Sequence, residues 1–373
     1  MKREDNIYFG AGPAALPTDV LATAAQALQN YDNTGLGLAE HSHRSSIATN
    51  IMNSLKADLS NFLDIPSSYE ILVMQGGGSA QFDATVYNLV WSSKASQEAI
   101  RLLGPEHVNI AADAKKANDG KFGKIPDEST WKLSKKAAMT VDGVEWPSFP
   151  ISLEPKGSDD DPIVVGDFSS TILSRRIPIE KFSIIFFGAQ KNLGSTGITV
   201  VIVKKSLLPP VTAASSPATL RKLGLPIAPT TLDYSVIAKN DSLYNTLSIF
   251  DVYIADEVLK KSLESFPDKV DGQQAVAEKK AKLLYETLDA YPEVYKVVPD
   301  KSVRSRMNAC FRVTKGGNVD DAEKAFLAGA VAKGLTGLKG HRSVGGIRAS
   351  NYNAIPESGV QKLAAYLKEF ATA

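Results

Sequence analysis

Cysteine is almost missing from this chain: Cys310 is the single one in 373 residues. An internal disulfide is therefore impossible, and the chain suits a reducing compartment. Long apolar runs are missing as well, and none approaches the ~20 residues that a membrane-crossing helix needs. The opening Met1-Lys2-Arg3-Glu4-Asp5-Asn6 leads into a short apolar patch broken by glycine and proline. It reads neither as a secretory signal nor as an Arg-rich transit sequence, so the expected location is cytoplasmic. Neither sign of charge prevails, with 42 Lys and Arg against 41 Asp and Glu and a net charge of +1. Without a long-range field to draw nucleic acid or an anionic membrane, any anionic ligand has to be caught by local cations. Four histidines and one cysteine offer no metal-ligand spacing, so no metal is expected.

What remains is the composition of an ordinary globular protein, 43% hydrophobic and 22% charged, in a chain too long for one comfortable core. Two domains are expected, without internal repeats. The glycine- and proline-rich stretch from Phe9 to Pro17 suits neither helix nor strand. Thr18 then reads as the N-cap of a helix with Val20, Leu21, Ala24, Ala25 and Leu28 on one face. A second helix carries Ile47, Ile51, Leu55, Leu59 and Phe62 at helical spacing. From Ile71 to Val203 the pattern changes to short continuous apolar runs, Ile71–Met74, Ile163–Val165, Ile184–Phe187 and Thr199–Val203. These read as interior strands of a mostly parallel sheet covered on both faces. After about Asp256 helices dominate, with Val276, Lys280, Leu284 and Leu288 in register and Val360, Leu363, Leu367 and Phe370 near the end. Met307–Thr314 between them reads as a strand of a small α+β domain, and Gly157-Ser158-Asp159-Asp160-Asp161 as a surface loop.

Two of the apolar runs stop at a charge. Ile163-Val164-Val165-Gly166-Asp167 ends on a carboxylate, and the run from Ile184 through Gly188-Ala189-Gln190 ends on the amine of Lys191. Two strands that bring an acid and an amine to one edge of a sheet form the arrangement that pyridoxal phosphate needs. The amine bonds the cofactor aldehyde, and the carboxylate keeps the pyridine nitrogen protonated so that the ring serves as an electron sink. A lone lysine after a strand more often begins a plain surface turn, so other segments have to decide. Gln75-Gly76-Gly77-Gly78-Ser79-Ala80 follows a strand and opens a helix, where backbone N–H groups and the helix dipole can hold an anion. It has neither the lysine nor the spacing of a nucleotide P-loop.

Ser42-His43-Arg44 and the stretch Gly340 to Arg348 place His43, Arg44, His341, Arg342 and Arg348 in otherwise uncharged surroundings. Arginine's planar fork binds carboxylate or phosphate through two parallel hydrogen bonds. Either cluster alone reads as solvated loop cations; together they suggest a substrate with a carboxylate and a second anionic group. Tyr244-Asn245-Thr246 reads as a polar turn before a helix, and Trp91 either stacks on a ring or fills a core.

Together these segments resemble the phosphoserine aminotransferase family, class V members of the fold type I superfamily of pyridoxal phosphate enzymes. The resemblance runs nearly end to end. It rests on Phe9-Gly10-Ala11-Gly12-Pro13-Ala14, Ser42-His43-Arg44, Gly76-Gly77-Gly78, Asp167-Phe168-Ser169-Ser170, Gly188-Ala189-Gln190-Lys191-Asn192, Tyr244-Asn245-Thr246 and Lys339 to Gly346. It implies an α/β fold in which a large domain with a mostly parallel sheet of the seven-stranded type joins a small α+β C-terminal domain. The implied division is 1-16, a segment packing with the small domain, then 17-262 and 263-373. A homodimer with shared active sites is implied too, exchanging the amino group between O-phosphoserine and 2-oxoglutarate to give 3-phosphooxypyruvate and glutamate. By the same resemblance Lys191 would bond the cofactor and shuttle the proton, and Asp167 would pair with the pyridinium. Gly78, Ser79 and Gln190 would hold the cofactor phosphate with Asn245 and Thr246 of the partner subunit. Trp91 would stack on the ring and Thr140 would touch it. Arg348 would grip the substrate α-carboxylate, and His43 and Arg44, with His341 and Arg342 of the other chain, the substrate phosphate or the distal carboxylate of glutamate.

The chain departs from the family at two places. Val90 runs directly into Trp91, and Met139 directly into Thr140, each where the family carries about one more strand. Two central strands are worth more than the net stability of a domain, so omitted residues are expected at both junctions. Ser79 stands where some members carry arginine, and Leu247-Ser248 where many carry two prolines. An aminotransferase for another amino acid, such as alanine or aspartate, and a non-catalytic dimer of the same fold stay open as alternatives.

Overall fold

A computed structural model describes residues 2–89, 94–121, 123–134, 138–142, 149–157, 161–213, 216–340 and 345–373. Its strands are β1 (Ile7–Tyr8), β2 (Tyr69–Met74), β3 (Ala138–Asp142), β4 (Ile163–Asp167), β5 (Ile184–Gly188), β6 (Thr199–Lys204), β7 (Tyr295–Val297), β8 (Asn308–Val313), β9 (Leu335–Thr336) and β10 (Ile347–Ser350). The helices up to the end of the main sheet's connections are α1 (Thr18–Gln29), α2 (Ser46–Leu63), α3 (Gly77–Leu89), α4 (Lys94–Leu103), α5 (Pro217–Lys222) and α6 (Tyr234–Lys239). After them come α7 (Ile249–Ser265), α8 (Val270–Asp289), α9 (Val319–Ala332) and α10 (Glu357–Thr372).

Five strands form the main sheet in the order β2-β6-β5-β4-β3. β3, β4 and β5 run parallel, while β6 is antiparallel to both β5 and β2. The sheet is thus mostly parallel, with one reversed strand. Alternate side chains of β5 reach opposite cores. Ile185 and Phe187 join Leu55, Leu59 and Phe62 of α2 and Val252 and Leu259 of α7. Ile184 and Phe186 join Ala84 of α3 and Ile237 of α6. Burial on both faces is what makes such strands read as continuous apolar runs. The expected runs at Ile71, Ile163, Ile184 and Thr199 are β2, β4, β5 and β6. The sheet has five strands among the described residues where the seven-stranded type is expected, and the shortfall read at each of the two junctions is about one strand.

β3 covers one of those junctions. Met139 and Thr140 are successive residues of this strand, opposite Val164 and Val165 of β4. The Val90–Trp91 junction lies outside the described residues.

Helix α1 differs in detail from its sequence reading. It opens at Thr18 itself, with Pro17 in the cap position, and buries Val20, Ala24 and Ala27. Val20 and Ala24 pack on Ile254 and Val258 of α7, and Leu28 is left 44% exposed. The buried stripe follows i, i+4, i+7, and Leu28 falls just beyond its edge.

A second core gathers Leu284 and Leu288 of α8, Phe311 and Val313 of β8, Phe326 of α9, and Leu363 and Leu367 of α10. Phe9 enters it from the N-terminal stretch, and β1 pairs in parallel with β9. β8 sits at the centre of a three-stranded antiparallel sheet, between β10 and β7.

Lys280 shares the apolar stripe of α8 and is 1% exposed. Its Nζ donates to Tyr352 O at 3.0 Å and to Ile355 O at 2.8 Å. Burial pushes its pKa down to about 8, with Glu357 pulling the other way. A neutral amine keeps two N–H groups, enough for both carbonyls. An unfolded lysine titrates near 10.4, so between about 8 and that value the unfolded chain binds more protons and stability rises with pH. Over this window the wild type should gain on Lys280→Met by about 1 kcal/mol per pH unit. Urea unfolding of both proteins at pH 8 and 9.5 checks this; parallel pH slopes would contradict it.

Candidate active site

β2, β4 and β5 point the same way, so their C-terminal ends share one edge of the main sheet. Ligands of open α/β sheets bind at that edge. β4 ends on Asp167, β5 delivers Lys191 just beyond Gly188, and β2 leads into the glycine turn and α3. The acid, the amine and the anion cradle read from the sequence stand together there.

Gly76 and Gly77 adopt φ of 99° and 65°, values that disfavour side chains. The turn leaves first-turn N–H groups of α3 without helical acceptors, and the helix dipole adds to their pull on an anion. A Cβ on Gly78 would lie 3.9 Å from Asp167 Oδ2, so the cradle adjoins the carboxylate. Asp167 Oδ1 accepts from Ser169 N at 2.9 Å and from Ser169 Oγ at 2.6 Å. Ser169 Oγ in turn accepts from Gly188 N at 3.2 Å, which ties the carboxylate to the end of β5.

The N-terminal stretch closes over Lys191. Lys191 Nζ donates to Ala11 O, and Ala14 N donates to Gln190 O at 2.8 Å. The amine lies 5.4 Å from the centre of the Tyr352 ring, whose hydroxyl donates to the same Ala11 O at 3.0 Å. Gly12 has φ of 122°, and a Cβ there would fall 2.7 Å from Lys191 Nζ. Gly12→Ala should therefore weaken pyridoxal phosphate binding by roughly tenfold or more, from backbone strain and crowding of the amine. Titrating the apoprotein with cofactor checks this, and an unchanged affinity would contradict it.

The remaining expected residues fall into three groups. Asn245 Nδ2 donates to Gln75 Oε1 at 2.6 Å and Gln75 Nε2 donates to Thr246 O at 3.2 Å, which brings that turn to the glycine loop of the same chain. A cavity of about 350 Å³ adjoins it, lined by Gln75, Gly76, Ala80, Asn245 and Leu247 among others. Ser79 is exposed at the loop, and Gln190 lies over Gly188. Arg348 sits on β10 opposite Cys310, and its Nε is buried without a hydrogen-bond partner among the described residues. Burial pushes the Cys310 thiol pKa up, and the Arg348 charge opposes that. His43 and Arg44 lie in the turn before α2, and His43 Nε2 is likewise buried and unpartnered among the described residues. Their described contacts are local, such as Arg44 N to Ser42 Oγ at 3.2 Å, and none reaches Lys191 or Asp167. Thr140 is placed by its backbone in β3. Trp91, His341 and Arg342 lie outside the described residues.

Sequence reasoning gave no role to Ser169, Ala11, Gly12 or Tyr352. Ser169 carried a local signal, a serine two residues after a strand-ending aspartate. The other three are brought in by contacts distant in sequence.

These residues fit pyridoxal phosphate by their own chemistry: an amine, a carboxylate fixed by two donors, a glycine cradle for a phosphate, space that only glycine leaves at position 12, and an arginine whose buried Nε has no partner among the described residues. The sequence matches the class-V aminotransferase family at residues 7–141 and 136–363, and the chain belongs to that family. The chain is a pyridoxal-phosphate-dependent transaminase, and pyridoxal phosphate is its cofactor. It is 44% identical over 401 residues to phosphoserine aminotransferase of Saccharomyces cerevisiae, covering 100% of this chain and 98% of that protein. Among solved structures, phosphoserine aminotransferase from Bacillus circulans subsp. alkalophilus matches with a TM-score of 0.83 at 33% identity, covering 99% of this chain and 98% of that one. The pyridoxal-phosphate-bound phosphoserine aminotransferase from Trichomonas vaginalis gives 0.83 at 32% identity, with 97% and 99% covered. The yeast alignment is longer than this chain's 373 residues, so the relative carries positions without a counterpart here. The two matched segments of the family meet at β3, where the sequence reading found a shortfall.

Proposed function

We propose that this chain exchanges the amino group between O-phospho-L-serine and 2-oxoglutarate, forming 3-phosphooxypyruvate and L-glutamate in L-serine biosynthesis. The observation that carries the reading is the meeting of Asp167, Lys191 and the Gly76-Gly77-Gly78 turn at one sheet edge. Likeness to phosphoserine aminotransferases over the whole length supports the choice of substrate.

When bound, the cofactor supplies an electron sink for the charge that develops at the substrate Cα. Lys191 bonds the cofactor and moves the proton at that carbon. The Asp167 carboxylate, held through Oδ1 by Ser169, keeps the pyridine nitrogen protonated. Gly78, Ser79 and Gln190 would hold the cofactor phosphate; the resemblance adds Asn245 and Thr246 of the partner subunit, although within one chain that turn already meets Gln75 of the glycine loop. By the family resemblance Trp91 would stack on the ring and Thr140 would touch it. Arg348 would take the α-carboxylate, a role that suits its buried Nε, which has no partner among the described residues. His43 and Arg44, with His341 and Arg342 of the partner subunit, take the distal phosphate or the distal carboxylate of glutamate. Both amino donors carry an α-carboxylate and a remote anion, so one set of cations serves both half-reactions. The assembly is a homodimer, and the chain divides into 1-16, 17-262 and 263-373. Among the described residues no helix is long and apolar enough to cross a membrane; the cytoplasm suits a chain with a single cysteine.

The test is turnover with phosphoserine against alanine and aspartate as donors. Cations left unpaired by a small neutral side chain should cost roughly 10²-fold or more in kcat/KM. A preference for alanine would end the proposal.

A further inference from the structure

Tyr352 takes no part in the roles given above, yet it is the aromatic ring beside the Lys191 amine. It is 2% exposed, and its ring centre lies 5.4 Å from Lys191 Nζ. A cation over a tyrosine face is drawn to the ring's negative quadrupole. The phenol has one proton to donate, and it goes to Ala11 O at 3.0 Å, the carbonyl that also accepts from Lys191 Nζ. One carbonyl and one ring therefore fix the amine from two sides.

Tyr352 is itself held fast. Its carbonyl accepts from the buried Lys280 Nζ at 3.0 Å. On one side Asn351 N donates to Met307 O at 2.6 Å. On the other, Asn353 N donates to Asn192 Oδ1 and Asn353 Nδ2 to Leu173 O, both at 2.9 Å. Asn192 is the residue next to Lys191, so the segment after β10 is bolted to the turn that carries the amine. The ring packs with Ala277 and Met307. Such a ring cannot swing away when the amine moves.

We propose that Tyr352 is a positioning residue for Lys191: its ring and the shared Ala11 carbonyl hold the amine at the sheet edge where Asp167 and the glycine turn meet. Whenever the amine is not bonded to the cofactor, this is where it waits, already aimed. The proposal rests on Lys191 being the lysine that bonds the cofactor.

Tyr352→Phe keeps the ring and removes the hydroxyl; Tyr352→Leu removes both. Apoprotein of each is mixed with pyridoxal phosphate, the visible absorbance is followed by stopped flow, and the visible circular dichroism of the loaded protein is recorded. Tyr352→Phe should slow the appearance of the band roughly threefold to tenfold, the worth of one hydrogen bond. Tyr352→Leu should slow it further by a similar factor. Both should change the visible dichroism, which reports the orientation of the bonded amine. A merely structural tyrosine would lower the melting temperature and leave rate and dichroism as they are. If wild-type protein develops no band, the reading of Lys191 fails. If it does, and the variants match it in rate and dichroism, this proposal fails. Should Tyr352→Leu not fold, Tyr352→Phe, which loses one oxygen atom, decides alone.

Discussion

Lys191→Ala is expected to yield folded protein whose transamination with phosphoserine falls by about 10⁴-fold or more. Proton transfer by a positioned side chain is worth roughly 10²–10⁴-fold, and loss of the covalent link to the cofactor adds to it. The fold should tolerate the change. Lys191 is half-buried at a sheet edge, and its hydrogen bond to Ala11 O contributes about 1 kcal/mol net. Steady-state assays beside light scattering and thermal melts check both halves of the statement. Turnover above about one per cent of wild type would contradict the role given to the amine.

Asp167→Asn is expected to cut kcat by roughly 10²–10³-fold, the usual cost of losing one preorganised electrostatic partner. The amide keeps the size of the carboxylate and an oxygen that can accept from Ser169 N and Oγ, so the geometry around Oδ1 should persist. What disappears is the negative charge. Because Asp167 is not assigned to the substrate, kcat and kcat/KM should fall together, with KM for phosphoserine little changed. A variant with normal kcat, or one impaired only in KM, would move the carboxylate out of the chemistry.

The interior of the large sheet was legible because its strands are buried on both faces. Burial on both faces leaves no room for polar alternation, and Ile184 to Phe187 shows the consequence as an unbroken apolar run. The two charges that end such runs, Asp167 and Lys191, were legible for the same reason: an acid or an amine stands out where a strand leaves the core. β3 was not legible. Ala138–Asp142 is short and chemically mixed, and its strand character comes from pairing with β4. Leu28 was read as core because it fits a helical period, whereas α1 buries Ala27 instead and leaves Leu28 exposed.

The shell around the amine was hidden by distance along the chain. Lys191 meets Ala11 across 180 residues, Tyr352 meets Ala11 across 341, and Asn245 meets Gln75 across 170. Periodicity describes neighbours within a few turns and carries no trace of such contacts. Gly12 shows the same limit: its need for glycine comes from φ of 122° and from an amine 2.7 Å from where its Cβ would stand, neither visible in a run of small residues.

Borohydride reduction of the cofactor-loaded protein, followed by peptide mass mapping, tests most directly that the sheet edge holding Asp167 and the glycine turn is built around a covalent lysine. The added mass should appear on the single peptide that contains Lys191. Mass on another lysine, or on none, would contradict it.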